Sequence, residues 1–281
     1  MSGDSAGPEE IARASGFDPS RPNAARIYDY LLDGKDNFAA DRQAAADLLR
    51  ALPDAAQVAR ANRAFLAAAV RYVASRSIVQ YADIGAGLPT SPNVHQSART
   101  AVPGARVAYV DNDAVVVTHA RALLATDEMV TVIREDARDY QAILSALERD
   151  RLIDLAEPVC VLFVSMLHFM TAAESDALVG AFRERVAPGS YLVISAGVST
   201  ERNIPAGEQI QAAYGDRTTL TGRPAAEIAA YFGDFELVPP GLVPVTDWPL
   251  EGPGTSQRPV LQEAAAPTKA GMMAGIGRKR S

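Results

Sequence analysis

Between residues 23 and 76 the apolar positions recur at helical spacing. Ile27, Leu31 and Leu32 fall on one stripe, Leu48, Leu49 and Leu52 on a second, and Phe65, Leu66, Ala69, Val70 and Val73 on a third. GKDNFAADRQ (34–43) reads as a loop between the first two stripes, and Pro53-Asp54 punctuates the second and third. The stretch before them, residues 1–22, is small, polar and proline-containing, and reads as a flexible lead-in.

After Arg76 the rhythm changes to short apolar runs separated by helical patterns. Strands are expected at 78–84, 106–111, 130–134, 158–165 and 190–196, with helices near 93–101, 113–125, 139–149 and 174–187. Continuous apolar strands alternating with helices indicate a parallel sheet covered on both faces. The fold class is therefore α/β: a doubly wound, Rossmann-like, mostly parallel sheet of seven strands with an N-terminal helical lid. Farther on, helical stretches at 201–214 and 223–232 precede FELVPPGLVPV (235–245), which Pro239-Pro240 pushes towards a sheet edge. A Pro/Gly-rich connection, 249–267, leads to a last apolar segment at 270–279. Residues 23–281 are read as one domain, with 23–76 as the lid and 77–281 as the core.

Composition narrows the partners. Hydrophobic residues make up 48% of the 281 and charged residues 22%, which is globular rather than disordered. The net charge of −7 offers no global field for a phosphate backbone, so nucleic acid is not an expected partner. No apolar run approaches the roughly 18 residues needed to cross a bilayer, so no membrane is expected either and the cytoplasm is the expected location. Cys160 is the only cysteine, and His95, His119 and His168 form no HExxH-type pair, so no metal site is expected.

The strongest local signal is Asp83-Ile84-Gly85-Ala86-Gly87, at the end of the first strand. Glycines there let a ligand approach the backbone where a Cβ would collide. The third glycine of a dinucleotide motif is replaced by Thr90, which weakens the case for a pyrophosphate. The second strand ends in Asp111, placed to accept two hydrogen bonds from a ribose diol, with Asn112 and then Asp113, which reads as a helix N-cap. Glu135-Asp136-Ala137-Arg138 follows the third strand, where an acidic side chain could receive an adenine amino group.

Together these features resemble a class I S-adenosylmethionine-dependent methyltransferase. PNAARIYDYLLDGKDNFAADR (22–42), VARANRAFL (58–66), DIGAGLPTSPNVH (83–95), VAYVDND (107–113), LHF (167–169), APGSYLVIS (187–195), GLVPVTDW (241–248) and AGIGRK (274–279) are similar to an actinobacterial methyltransferase family long catalogued as a domain of unknown function. The resemblance implies S-adenosylmethionine as cofactor. Asp83, Gly85, Ala86 and Gly87 would border its methionine end and Asp111 would hold the ribose. Asn112, Asp136 and Ala137 would meet the adenine, and Ser165 would close the site. VSMLHF (164–169) stands where amide and DNA methyltransferases carry an Asn/Asp-Pro-Pro-Tyr box, which turns the expectation towards a small-molecule acceptor.

Tyr28, Tyr30, Lys35, Asn37 and Phe38 form an aromatic and polar cluster read as lid and substrate candidates, together with Arg63; for Tyr28 and Tyr30 packing on the sheet is the alternative. Asn62 and Arg63 fit a solvated helix face as readily. His168 and Tyr28 are the candidates for a catalytic group, His168 as general base or as a structural histidine. Methyl transfer to a small molecule is the first reading. A non-catalytic S-adenosylmethionine-binding or regulatory protein, and a nucleotide-dependent oxidoreductase, are the alternatives.

Overall fold

A strand covered on both faces must alternate its side chains between two apolar layers, and β1 (Gln80–Ile84) does so, with Tyr81 in one core and Ala82 and Ile84 in the other. In β4 (Cys160–Val164), Cys160 and Leu162 share the layer of Tyr81, while Val161 and Phe163 face the opposite layer. The computed structural model describes residues 18–125, 127–201, 203–215, 220–250 and 270–280. Most of the lead-in and of the 249–267 connection lies outside them.

β2 (Arg106–Asp111), β3 (Val130–Arg134) and β5 (Tyr191–Gly197) complete the parallel part of the sheet. The final strand, β8 (Met272–Lys279), inserts antiparallel between β5 and the short edge strand β6 (Phe235–Leu237), giving the row β3-β2-β1-β4-β5-β8-β6. A two-residue strand, β7 (Val243–Pro244), pairs with β8 off this row. Residues 235–245 thus lie at the edge and break at Pro239-Pro240, because proline cannot donate to a ladder. The chain order reverses between β1 and β4, and in such sheets the crevice at the strand C-termini is where ligands bind.

Three helices precede β1: α1 (Ala24–Leu31), α2 (Ala39–Ala51) and α3 (Ala55–Ser75). The sequence groups them as one lid, but the second half of α3 is core. Ala69, Val70 and Val73 are fully buried in the layer that holds Tyr81, Val193 and Ile276. A 21-residue helix is about 30 Å long, enough to pass from the cavity rim down across the sheet. The loop expected at 34–43 is also shorter than read, since α2 begins at Ala39. Asp41 starts that helix: its carboxylate accepts the N–H groups of Phe38 and Asn23 and pairs with the buried Arg26 at 2.8 Å.

Helices α4 (Val94–Arg99) and α5 (Ala114–Leu123) share the face covered by α3; α6 (Tyr140–Asp150), α7 (Ala172–Arg185) and α9 (Ala225–Ala230) cover the other. Between β5 and α9 the chain makes one excursion, ending in α8 (Gly207–Tyr214). Ile210 and Ala213 of α8 are buried in the same cluster as Ala44, Ala45 and Leu48 of α2. The roof over the strand ends is therefore built from α1, α2 and α8, two segments far apart in the chain.

Candidate functional site

Beneath that roof lies a cavity of about 600 Å³, within the range of small-molecule sites. Every residue expected at the cofactor lines it: Asp83, Gly85, Ala86, Gly87, Asp111, Asn112, Asp136, Ala137 and Ser165. Gly85 and Gly87 have φ of +72° and +67°, a backbone region that costs L side chains energy but not glycine. A Cβ on Gly85 would lie 2.9 Å from Met166 Cβ, whereas one on Gly87 would meet nothing within 4 Å. The first glycine is needed for packing, and the second leaves open space beside the turn.

The amides of that turn are all committed. Gly85 and Ala86 donate to Val110 O at 2.8 and 3.1 Å, and Gly87 donates to Asp111 Oδ2 at 2.9 Å. The other carboxylate oxygen of Asp111 accepts from Asp113 N at 2.9 Å. Each Asp111 oxygen therefore keeps a lone pair for a ligand, while the N–H groups of Gly85, Ala86 and Gly87 are spent within the protein. Burial raises the Asp111 carboxyl above its ordinary range, and these backbone donors oppose the rise.

Asp113 is the N-cap read from the sequence. It accepts from Val115 N and Val116 N at 2.7 and 3.1 Å, and also from Asn23 Nδ2 at 2.7 Å, which ties the start of α1 to the end of β2. Asp83 is 5% exposed, and burial pushes its carboxyl up to about 7, with Asp111 adding to the rise and Arg63 opposing it. Arg63 donates through one terminal nitrogen to the carbonyls of Thr90 and Pro92. On the adenine side Asn112 Nδ2 donates to Asp136 Oδ2 at 3.0 Å. Burial raises the Asp136 carboxyl, but the Arg138 N–H and the Asn112 amide outweigh it and hold the group below its ordinary value.

Ser165, at the end of β4, has φ +59°, a strained conformation for a non-glycine residue that recurs at functional sites. Its N–H donates to Ser195 Oγ at 3.0 Å; that hydroxyl donates to Asn62 Oδ1 at 2.6 Å, Asn62 Nδ2 donates to Tyr28 Oη at 2.9 Å, and Tyr28 donates to Ala59 O at 3.1 Å. Asn62 is 1% exposed, so the solvated face is excluded for it, and sequence spacing alone carried no signal of this chain. Removing it takes one partner from each of two hydroxyls, so Asn62→Ala is expected to cost about 2–3 kcal/mol of stability in urea unfolding. Tyr28→Phe should cost about 1 kcal/mol, and the double variant less than both together, since the residues share a bond. Additive losses would break the chain.

Neither catalytic candidate is poised as a base. Tyr28 lines the cavity with its hydroxyl committed at both ends, and burial raises its pKa. His168 also lines it, with Nδ1 accepting from Gly197 N at 3.3 Å, and burial, aided by Arg223, lowers its pKa to about 4. It is a neutral imidazole whose free Nε2 carries the hydrogen. Arg223, itself 1% exposed, grips the turn bearing His168 through the carbonyls of Leu167 and Met170 at 3.0 and 2.8 Å.

Of the lid candidates, Tyr28 and Arg63 line the cavity, and Tyr30, Lys35, Asn37 and Phe38 do not. Asn37 is spent on the loop, donating to Asp29 Oδ2 and Gly34 O at 2.9 and 3.0 Å. Tyr30 packs against the core, Lys35 and Phe38 are exposed, and Phe38 lies beside the Arg26 guanidinium. The buried Asp29, which itself lines the cavity, holds the loop by accepting from Asp36 N and Asn37 Nδ2.

Comparison with known proteins adds the following. A family model described as S-adenosyl methyltransferase matches residues 10–280. A crystal structure from Thermobifida fusca, provisionally described as a methyltransferase, is 40% identical with a TM-score of 0.83, covering 93% of this chain and 96% of that one. A DUF574 family protein from Streptomyces avermitilis is 32% identical with a TM-score of 0.84, over 93% and 99%. An O-methyltransferase family protein from Burkholderia thailandensis, 15% identical with a TM-score of 0.50 over 93% and 65%, shares the fold. A search of curated proteins finds no significant match.

Proposed function

The chain belongs to the S-adenosyl methyltransferase family, and from that premise we propose that it binds S-adenosylmethionine and directs its methyl group to a small-molecule acceptor. The observation that carries this reading is the coupling of Asp111 to the glycine turn at 2.9 Å. A half-buried carboxylate is presented for a ribose diol while the Gly85, Ala86 and Gly87 amides are consumed within the protein. When bound, the sulfonium supplies an activated methyl group. The chain's own residues then hold, align and dry the site. Asp83 takes the ammonium of the methionine end, and Arg63 takes the carboxylate with the nitrogens it has not spent. Asn112, Asp136 and Ala137 border the adenine, and the roof excludes water. An acidic chain with one buried free cysteine fits work in the cytoplasm.

The absence of a poised base among the described residues favours an acceptor that needs little help losing its proton. It also supports the second reading, a binding protein without turnover. Incubation with methyl-labelled S-adenosylmethionine and cell extract separates the two, because only turnover moves label into a product. The oxidoreductase reading is tested by melting temperature. At 100 times Kd a ligand stabilises by about 2.7 kcal/mol, which for a chain of this size raises Tm by several degrees. S-adenosylhomocysteine should give that rise and NAD should give none; the reverse result would sink the proposal.

A further inference from the structure

The adenosyl-binding residues occupy one end of the cavity and leave the other to be explained. That second lobe is enclosed by Leu48 of α2, Ile210 and Tyr214 of α8, Leu220, Phe169 and Met272. It is apolar and aromatic. The Phe169 and Tyr214 rings lie 5.3 Å apart at 57°, and His168 lies 4.3 Å from Phe169 at 48°. The cationic side chains that line the cavity are engaged elsewhere: one Arg63 nitrogen on the loop after the glycine turn, with the others assigned to the methionine carboxylate, and Arg138 on Asp136, Glu174 and the Phe169 carbonyl. Asp29 is spent on the loop around Gly34. The lobe thus offers no free charge to pair with a charged ligand.

Three polar groups beside it are uncommitted among the described residues: the His168 Nε2, the Ser199 hydroxyl and the Tyr214 hydroxyl, of which Tyr214 belongs to the roof helix α8. Among the described residues the Tyr214 hydroxyl has no hydrogen-bond partner, whereas that of Tyr28 has two. Burial, with Tyr28 nearby, raises the Tyr214 pKa, so the phenol stays protonated and able to donate. The Tyr214 side chain is half-buried on the cavity wall, so its hydroxyl is open to the cavity and available to a ligand without cost to the folded protein. Tyrosine here combines a rigid ring for stacking with one hydrogen bond for orientation.

Resting on the reading that the other end holds the adenosyl ligand, we propose that this lobe is the acceptor subsite. It takes a neutral, flat, apolar molecule of one or two rings, whose single hydroxyl or carbonyl oxygen accepts a hydrogen bond from Tyr214 while the rings pack on Phe169. Phosphorylated or carboxylated acceptors are excluded, since no uncommitted charged side chain faces the lobe to pair them.

Calorimetry on the full chain tests this with 2-naphthol as probe and 2-naphthoate as its charged counterpart. S-adenosylhomocysteine is titrated first, then each probe into the saturated protein. Wild type should bind 2-naphthol and reject 2-naphthoate. Tyr214→Phe should weaken 2-naphthol about three- to tenfold, the worth of one hydrogen bond, with S-adenosylhomocysteine affinity unchanged within twofold. Because the hydroxyl has no partner in the protein, Tyr214→Phe should also leave Tm unchanged, which separates a ligand contact from a structural one. Phe169→Leu should weaken 2-naphthol as well by removing the stacked ring. Equal 2-naphthol affinity in wild type and Tyr214→Phe, preference for 2-naphthoate, or no 2-naphthol binding by protein that holds S-adenosylhomocysteine overturns the proposal. If S-adenosylhomocysteine itself does not bind, the cofactor reading falls, and the same 2-naphthol ratio on unliganded protein decides the lobe.

Discussion

Asp111→Ala is expected to weaken S-adenosylhomocysteine binding at least about a hundredfold. A charge-assisted hydrogen bond is worth about 1.5–3 kcal/mol, a ribose diol offers two, and each 1.4 kcal/mol is a factor of ten. The substitution also frees the Gly87 N–H held at 2.9 Å, so the turn itself loosens. Asp113→Ala is the internal control. It removes an N-cap and the tie to Asn23, which should cost about 0.5–2 kcal/mol of stability while affinity changes only a few-fold. Calorimetry paired with urea unfolding reads both quantities. Equal affinity losses in the two variants would show a general electrostatic effect and remove Asp111 from the ribose.

Asp83→Asn should separate stability from binding. In the unliganded protein burial lifts the Asp83 carboxyl to about 7, against about 3.9 when unfolded. Between those values the native state holds the extra proton, so stability falls as pH rises from about 4 to 7 and levels off above. The variant removes this penalty. At pH 8 it should be more stable than wild type by about 1–3 kcal/mol, after allowing for the cost of a buried amide. Ligand binding should move the other way. The ammonium of the methionine end needs the carboxylate, so wild-type affinity should fall about tenfold per unit below pH 7, while the variant binds weakly with a flat profile. A variant that is less stable than wild type and retains full affinity would make Asp83 structural.

Much of this site was legible from short-range pattern. The glycine turn, Asp111 and the Asp113 cap all follow from where apolar runs stop, because strand ends and helix starts are local events. The misplacements have one cause. Lys35, Asn37 and Phe38 look like a ligand cluster in sequence, yet Asn37 is spent on Asp29 and none of the three lines the cavity. Asn62 reads as a polar residue on a helix face, yet it bridges Ser195 and Tyr28 across separations of 133 and 34 residues. Such bonds form only when distant elements dock, and nothing in their spacing announces them.

By itself, then, the sequence determined the strands, their mostly parallel arrangement and the carboxylates at their ends, since burial on two faces demands continuous apolar runs and a crevice forms where those runs stop. Tertiary structure alone decided which helices roof that crevice. α3 became core because its second half meets the sheet, and α8 became roof because Ile210 and Ala213 found a surface on α2 that its own sequence neighbours do not provide. That docking is also what brings Tyr214 against Phe169. An apolar stripe states that a helix must be covered; which surface covers it depends on the three-dimensional fit of the other elements.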